Sequence, residues 1–242
     1  MTAGLVLVHA FPVDASMWQA QLGGSRTVAP DLPGFGGSPP AGDVMTMQAA
    51  AVRCLEVMDE AGLERAVVCG LSMGGYVAFE LWRRARDRVA GLVLANTRAN
   101  ADPEAAAEGR RDLAARLRQE GSGFLVASPP PLLSADAPRE LRAQVGQMIA
   151  AQPASAIAAA ALGMAERPDS TGDLATIDVP TLVITSEADT LIPPEISLSM
   201  AGQVPGATTA VIEGAGHLSN LERPNAFDSL LEAHLELCGA AR

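Results

Sequence analysis

At 242 residues, 48% hydrophobic and 19% charged, the chain has material for a sizeable core, and α/β folds of this length form around one sheet. Its formal net charge is -11 and all 17 basic residues are arginine, which excludes a P-loop lysine and a Schiff-base lysine. An acidic chain without a basic run is a poor partner for nucleic acid or for anionic membrane lipid, and neither is expected.

Cys54, Cys69 and Cys238 are far apart and outside C-x-x-C spacing, which argues against a disulfide framework or a zinc site. A reducing, cytoplasmic setting is expected, with no metal. The start, Met1-Thr2-Ala3-Gly4, lacks a positive region, and Leu5 to Val8 is too short for a signal peptide or a membrane span.

Along the chain, short apolar runs predict buried parallel strands at Leu5 to Val8, Thr27 to Ala29, Ala66 to Cys69, Gly91 to Ala95, Thr181 to Thr185 and Thr209 to Ile212. Helices are predicted between most of them. Met47 to Ala61 places Ala51, Cys54, Leu55 and Met58 on one face with Gly62 as a stop signal, and Gly75 to Arg84 and Pro224 to Leu237 read similarly. This alternation predicts a mostly parallel sheet of about six strands flanked by helices.

The alternation fails between Arg98 and Thr176, an alanine-rich stretch with candidate helices at Ala105 to Gln119 and Pro138 to Ala151. Residues 98–176 are expected to form a helical cap inserted before the last two strands. Residues 1–97 and 177–242 would form the core domain. An insertion at the C-terminal edge of an open α/β sheet lies over the crevice where ligands bind.

Gly70-Leu71-Ser72-Met73-Gly74 follows the third strand and precedes a helix. Glycines two residues before and after the serine suit a tight strand-to-helix turn in which backbones meet closely, the pattern of a nucleophile elbow. A serine nucleophile needs a base, and the chain has 3 histidines. His217 follows the last strand, at the same end of the sheet as the serine turn. His234 sits on the terminal helix and reads as a surface or partly packed residue, and His9, ending the first strand, reads as shaping the adjoining loop. The acid that orients the base is assigned to Asp189, just past the next-to-last strand, with Glu187 as runner-up and Asp178 behind it. The oxyanion hole is assigned to the backbone N–H groups of Met73, after the serine, and of Phe11, where the neighbouring Pro12 cannot donate.

These motifs, with Asp31-Leu32-Pro33-Gly34-Phe35-Gly36-Gly37-Ser38 and Gly216-His217-Leu218-Ser219-Asn220-Leu221-Glu222-Arg223-Pro224, span Leu5 to Pro224. Together they resemble the α/β-hydrolase fold superfamily, in its short esterase and enol-lactonase-like branch. The resemblance implies a Ser72, Asp189 and His217 catalytic triad, a cap at Arg98 to Thr176, and no cofactor. His9-Ala10 stands where the family usually has His-Gly, which leaves the shape of the oxyanion loop open. The chain begins near its first parallel strand, so the N-terminal antiparallel strands of larger members are expected to be absent. The loop Asp31 to Ser38 is read as structural, its glycines allowing close packing.

The chemistry expected is acyl transfer on a small-molecule ester or lactone. The segment after His217 resembles enol-lactonases, while His9-Ala10-Phe11-Pro12 is closer to esterases and haloperoxidase-like members. Carboxylesterase ranks first, lactonase second and carbon–carbon bond hydrolase third, since Leu218 replaces the aromatic expected of the last. A ligand-sensing protein of the same fold is the reading from another class. The alanines of the cap leave two readings open: a pocket lined by small aliphatic side chains, or simple helix propensity.

Overall fold

A computed structural model describes residues 2–241. Its strands are β1 (Gly4–Val8), β2 (Thr27–Val28), β3 (Ala66–Leu71), β4 (Val89–Ala95), β5 (Thr181–Ser186) and β6 (Thr208–Ile212). They form one 6-stranded sheet in the order β2-β1-β3-β4-β5-β6, and every neighbouring pair is parallel. The central strands β1, β3, β4 and β5 are buried along their whole length, as near-continuous apolar runs require. The expectation of burial fails at the edges: β2 is half-buried, and β6 exposes Thr208, Thr209 and Val211. An edge strand has a neighbour on one side only, and its alternate residues face water.

On the sheet lie α1 (Met47–Glu60), α2 (Met73–Ala85), α8 (Pro194–Ala201) and α10 (Pro224–Leu237), with the short α9 (Ser219–Glu222) before α10. The Thr46 hydroxyl caps α1 by accepting the Ala49 N–H at 3.1 Å, and Met47, Ala50, Ala51, Cys54 and Met58 form its buried face. Helix α2 is buried from Met73 to Trp82 and begins before the Gly75 predicted for it, because the turn at Ser72 feeds straight into its first residue. His234, read as a surface or partly packed residue, is packed more completely than that. It is 4% exposed, because it continues the stripe of Phe227 and Leu231 at helical spacing on the face of α10 that packs inward.

Between β4 and β5 run α3 (Glu104–Glu120), α4 (Gly123–Ala127), α5 (Arg139–Ala151), α6 (Ala154–Ala165) and α7 (Thr171–Leu174). Helices α3 and α5 match the two candidates read from the sequence. Helix α6 was not foreseen: it is apolar almost all round, so no amphipathic period marks it. It packs against α3, and the Met45 N–H donates to its Ala159 carbonyl at 3.0 Å. Among the described residues, no single helix is long and apolar enough to cross a membrane.

Candidate active site

Ser72 sits between the end of β3 and the first residue of α2 with φ 57 and ψ -114, a conformation that residues other than glycine rarely adopt. The turn is held from several directions. The Ser72 N–H donates to Ala95 O at 2.9 Å, and the Ser72 carbonyl accepts the Thr97 hydroxyl at 2.8 Å and the Gly75 N–H at 2.9 Å. A Cβ on Gly70 would stand 2.2 Å from Gly74 O, and one on Gly74 would stand 2.1 Å from Val8 O. The glycine spacing therefore follows from backbone packed on backbone.

His217 and Asp189 meet as the sequence suggests. The distance from His217 Nδ1 to Asp189 Oδ2 is 2.8 Å, with both side chains buried. An ionised carboxylate only accepts, so Nδ1 carries the proton and Nε2 is left as the basic nitrogen. Asp189 Oδ2 also accepts from Asn96 Nδ2 at 2.9 Å, and Oδ1 accepts the N–H groups of Leu191 at 2.9 Å and Ile192 at 3.0 Å. Burial pushes the carboxyl upward, but its hydrogen bond to His217, the charge of that ring, the Ile192 N–H and the Asn96 amide outweigh burial and hold it below the usual carboxylate range.

The other candidates lie elsewhere. Glu187 accepts the Gly214 N–H at 3.0 Å on the exposed side of the loop, and Asp178 is exposed. His9 is fully buried; its Nε2 accepts the Leu32 N–H at 3.1 Å and its Nδ1 lies 2.9 Å from Ala10 O. It ties the loop after β1 to the loop Asp31 to Ser38. That second loop is itself held by Asp31, whose Oδ1 and Oδ2 accept the Ala15 and Gly37 N–H groups at 3.0 and 2.9 Å.

Ser72, His217 and Phe11 share the wall of one cavity of about 260 Å³, with apolar sides from Tyr76, Leu113, Leu125, Leu132, Met164 and Ile192. Among the described residues no hydrogen bond links the Ser72 hydroxyl to His217; in enzymes without substrate, contacts between a nucleophile and its base are often long. Met73 opens α2, so its N–H has no acceptor within the helix. The alanines of residues 98–176 do not line this cavity. Ala107 and Ala114 of α3 and Ala156 to Ala161 of α6 are buried in helix packing, and larger aliphatics, with Arg98 and Arg110, make the wall instead.

Two residues of the site were not foreseen. Asn96, at the end of β4 with φ 45, donates to Ser186 Oγ at 3.0 Å and accepts the Ser219 hydroxyl at 2.8 Å, besides holding Asp189. Glu222 is buried; its Oε1 accepts the N–H groups of Gly216 at 2.7 Å and Ser134 at 3.0 Å, joining the His217 loop to the segment after α4. The signal for Asn96 is its place at the same end of the sheet as Ser72; Glu222 lies within the segment Gly216 to Pro224 that carries the resemblance, but nothing in that pattern gives it a role. Among the described residues no group of three or more His, Cys, Asp or Glu could hold a metal ion.

A parallel sheet with a serine on a strained strand-to-helix turn and a histidine–carboxylate pair beside it defines a hydrolase of the α/β class. Residues 5–229 match the model of the alpha/beta hydrolase family, and the chain belongs to that family. It is 30% identical over 234 residues to 3-oxoadipate enol-lactonase 1 of Acinetobacter baylyi, which covers 92% of this chain and 85% of that protein. It is also 30% identical over 245 residues to the dihydrolipoyllysine-residue acetyltransferase component of the acetoin cleaving system of Cupriavidus necator, covering 96% of this chain and 63% of that longer protein. Among solved structures, a thermophilic esterase from Thermogutta terrifontis, malate bound, superposes with a TM-score of 0.94 at 40% identity, covering 98% of this chain and 91% of that one. The enol-lactonase from Burkholderia xenovorans LB400 gives a TM-score of 0.87 at 26% identity, covering 98% and 92%.

Proposed function

We propose that this chain is a serine hydrolase of small carboxylic esters, with Ser72 as nucleophile, His217 as general base and Asp189 as the acid that orients it. The observation that carries this reading is the 2.8 Å contact from Asp189 to Nδ1 of His217, a histidine that lines the same cavity as Ser72. In the first step His217 Nε2 takes the Ser72 proton while Oγ bonds to the ester carbonyl carbon. The N–H groups of Phe11 and Met73 receive the charge that develops on the carbonyl oxygen. The C–O bond then breaks, and the leaving alcohol takes the proton from His217. Water, deprotonated by His217, attacks the acyl-enzyme; the bond from the acyl carbon to Oγ then breaks, and His217 returns the proton to Ser72 Oγ as the acid leaves.

In this reading residues 98–176 act as the cap and residues 1–97 with 177–242 as the core, in a cytoplasmic protein that needs no cofactor. Lactone opening is the second reading, favoured by the enol-lactonase of Acinetobacter baylyi among the relatives. The test is incubation with an organophosphate, read by mass spectrometry, together with the time course of p-nitrophenyl acetate hydrolysis. Stoichiometric labelling of Ser72 and an acyl burst are expected, both lost in Ser72→Ala. Folded protein showing neither overturns the hydrolase reading.

A further inference from the structure

Arg98 and Arg110 line the cavity and no aspartate or glutamate does, in a chain whose formal net charge is -11. A cationic lining in an acidic protein is a local arrangement that the overall composition does not predict. Carboxylates near it are already engaged. Asp102 accepts Arg110 Nε at 2.5 Å through one oxygen and Arg167 at 2.8 Å through the other, so one carboxylate answers two guanidiniums. Asp189 is occupied by His217, Asn96 and the backbone N–H groups of Leu191 and Ile192.

Arg98 has no ion-pair partner among the described residues. Its Nη2 donates to Leu191 O at 3.2 Å. A guanidinium presents a fork that matches a carboxylate, and Arg98 brings one to the cavity wall with no anion of the described residues against it. Its position is fixed from the catalytic side. Arg98 follows Asn96 and Thr97, which hold Asp189 and the Ser72 carbonyl, and Leu191 lies two residues beyond Asp189.

We infer that the cavity selects esters or lactones that carry a second, ionised carboxylate, received by Arg98 with Arg110 beside it. The inference rests on the hydrolase reading of Ser72 and adds the substrate class. A carboxylate fits better than a phosphate, because the remaining wall is apolar and a single unpaired guanidinium matches a single negative charge.

The experiment compares kcat/KM within two pairs of esters differing in charge but similar in shape. Mono-p-nitrophenyl glutarate is set against p-nitrophenyl 5-methylhexanoate, and 4-acetoxybenzoate against its methyl ester. The charged member is expected to be preferred by about tenfold or more in at least one pair, the discrimination a charge-assisted hydrogen bond provides. That preference should fall in Arg98→Gln, recover in part in Arg98→Lys, and weaken with added salt. Because each result is a ratio within one preparation, a loss of folded protein cancels. Equal or slower turnover of the charged member in both pairs overturns the inference, and so does a preference unchanged in Arg98→Gln. Organophosphate labelling of Ser72 separates the failures: with labelling and no charge preference, only the substrate class falls; without labelling, the hydrolase reading falls with it.

Discussion

Asn96 Nδ2 donates to Asp189 Oδ2 at 2.9 Å, and the Asn96 carbonyl oxygen accepts the Ser219 hydroxyl at 2.8 Å. The end of β4 thereby grips both the carboxylate that faces His217 and the helix that follows His217. Asn96→Ala removes the grip and leaves the buried Ser186 and Ser219 hydroxyls short of partners. It should destabilise the fold by about 1–3 kcal/mol in urea titration. Asn96→Asp should lower kcat further, because a second carboxylate beside Asp189 repels it; steady-state ester kinetics on the two variants checks the order.

Ser72 stores backbone strain at φ 57 and ψ -114. Strain of this kind costs about 1–3 kcal/mol, whereas glycine costs about 0.5–1 kcal/mol in chain entropy. Ser72→Gly should therefore raise stability by about 1 kcal/mol while abolishing ester hydrolysis. Thermal unfolding followed by circular dichroism measures the gain. A variant less stable than Ser72→Ala would show that the turn is not strained.

The serine turn, the histidine and the acid were legible because each is written locally: glycines at fixed offsets, and a reactive residue just past an apolar run. What was not legible depends on partners remote in the chain. Asn96 and Asp189 are 93 positions apart, and Ser134 and Glu222 are 88 apart, so neither pairing leaves a trace in local spacing. Helix α6 was hidden for another reason. Its residues from Ala156 to Ala161 are all buried, and a helix covered on every side shows no periodicity. Nothing in the sequence sets Arg98 and Arg110 apart from the other arginines, and only the fold brings the two to one cavity wall.

Stability should decline on the acid side from about pH 6.5. Burial lowers the pKa of His9, against the Ala10 carbonyl and the charges of Asp31 and Asp14, and burial likewise lowers that of His234. Each imidazole stays neutral in the fold while the unfolded chain takes up a proton, so falling pH favours unfolding until the depressed folded values are reached. Asp189 adds to the loss at lower pH: its folded value is held low, so its contribution is present above the ordinary carboxylate range and vanishes as pH falls through that value. Urea unfolding at a series of pH values gives the slope. His234→Leu should make it shallower near the ordinary histidine range, and an unchanged slope would remove His234 from the account.

Asp102 bridges Arg110 and Arg167, and the Arg167 guanidinium also lies 4.0 Å from the centre of the Tyr76 ring, in the cavity wall. Asp102→Ala leaves Arg167, whose side chain is 3% exposed, without its carboxylate. The expected loss is about 3–5 kcal/mol, the cost of breaking a buried pair from one side. Asp102→Ala with Arg167→Met should recover part of it, because the second change removes the stranded charge. A double-mutant cycle by denaturant titration checks this, and additive losses would mean that the pair is not coupled.

Glu222 offers the sharpest separation of binding from chemistry. Its carboxylate accepts the Gly216 N–H at 2.7 Å, one residue before His217, and the Ser134 N–H at 3.0 Å and hydroxyl at 2.5 Å. The Leu218 N–H donates to Leu132 O at 2.9 Å beside it, and Leu132 lines the cavity. Glutamine in place of Glu222 keeps the size and can hold the Gly216 and Ser134 N–H groups on Oε1 while its amide NH₂ donates to the Ser134 hydroxyl, so the bonds persist but lose the strength the carboxylate charge gave them. The segment carrying Leu132 should loosen more than His217, which Asp189 still holds. Glu222→Gln should therefore raise KM several-fold, the equivalent of about 1 kcal/mol of lost positioning, with a smaller fall in kcat. Ser134→Ala, which removes only the hydroxyl, should produce a weaker shift of the same kind. If kcat falls while KM stays put, Glu222 acts on His217 rather than on the cavity wall.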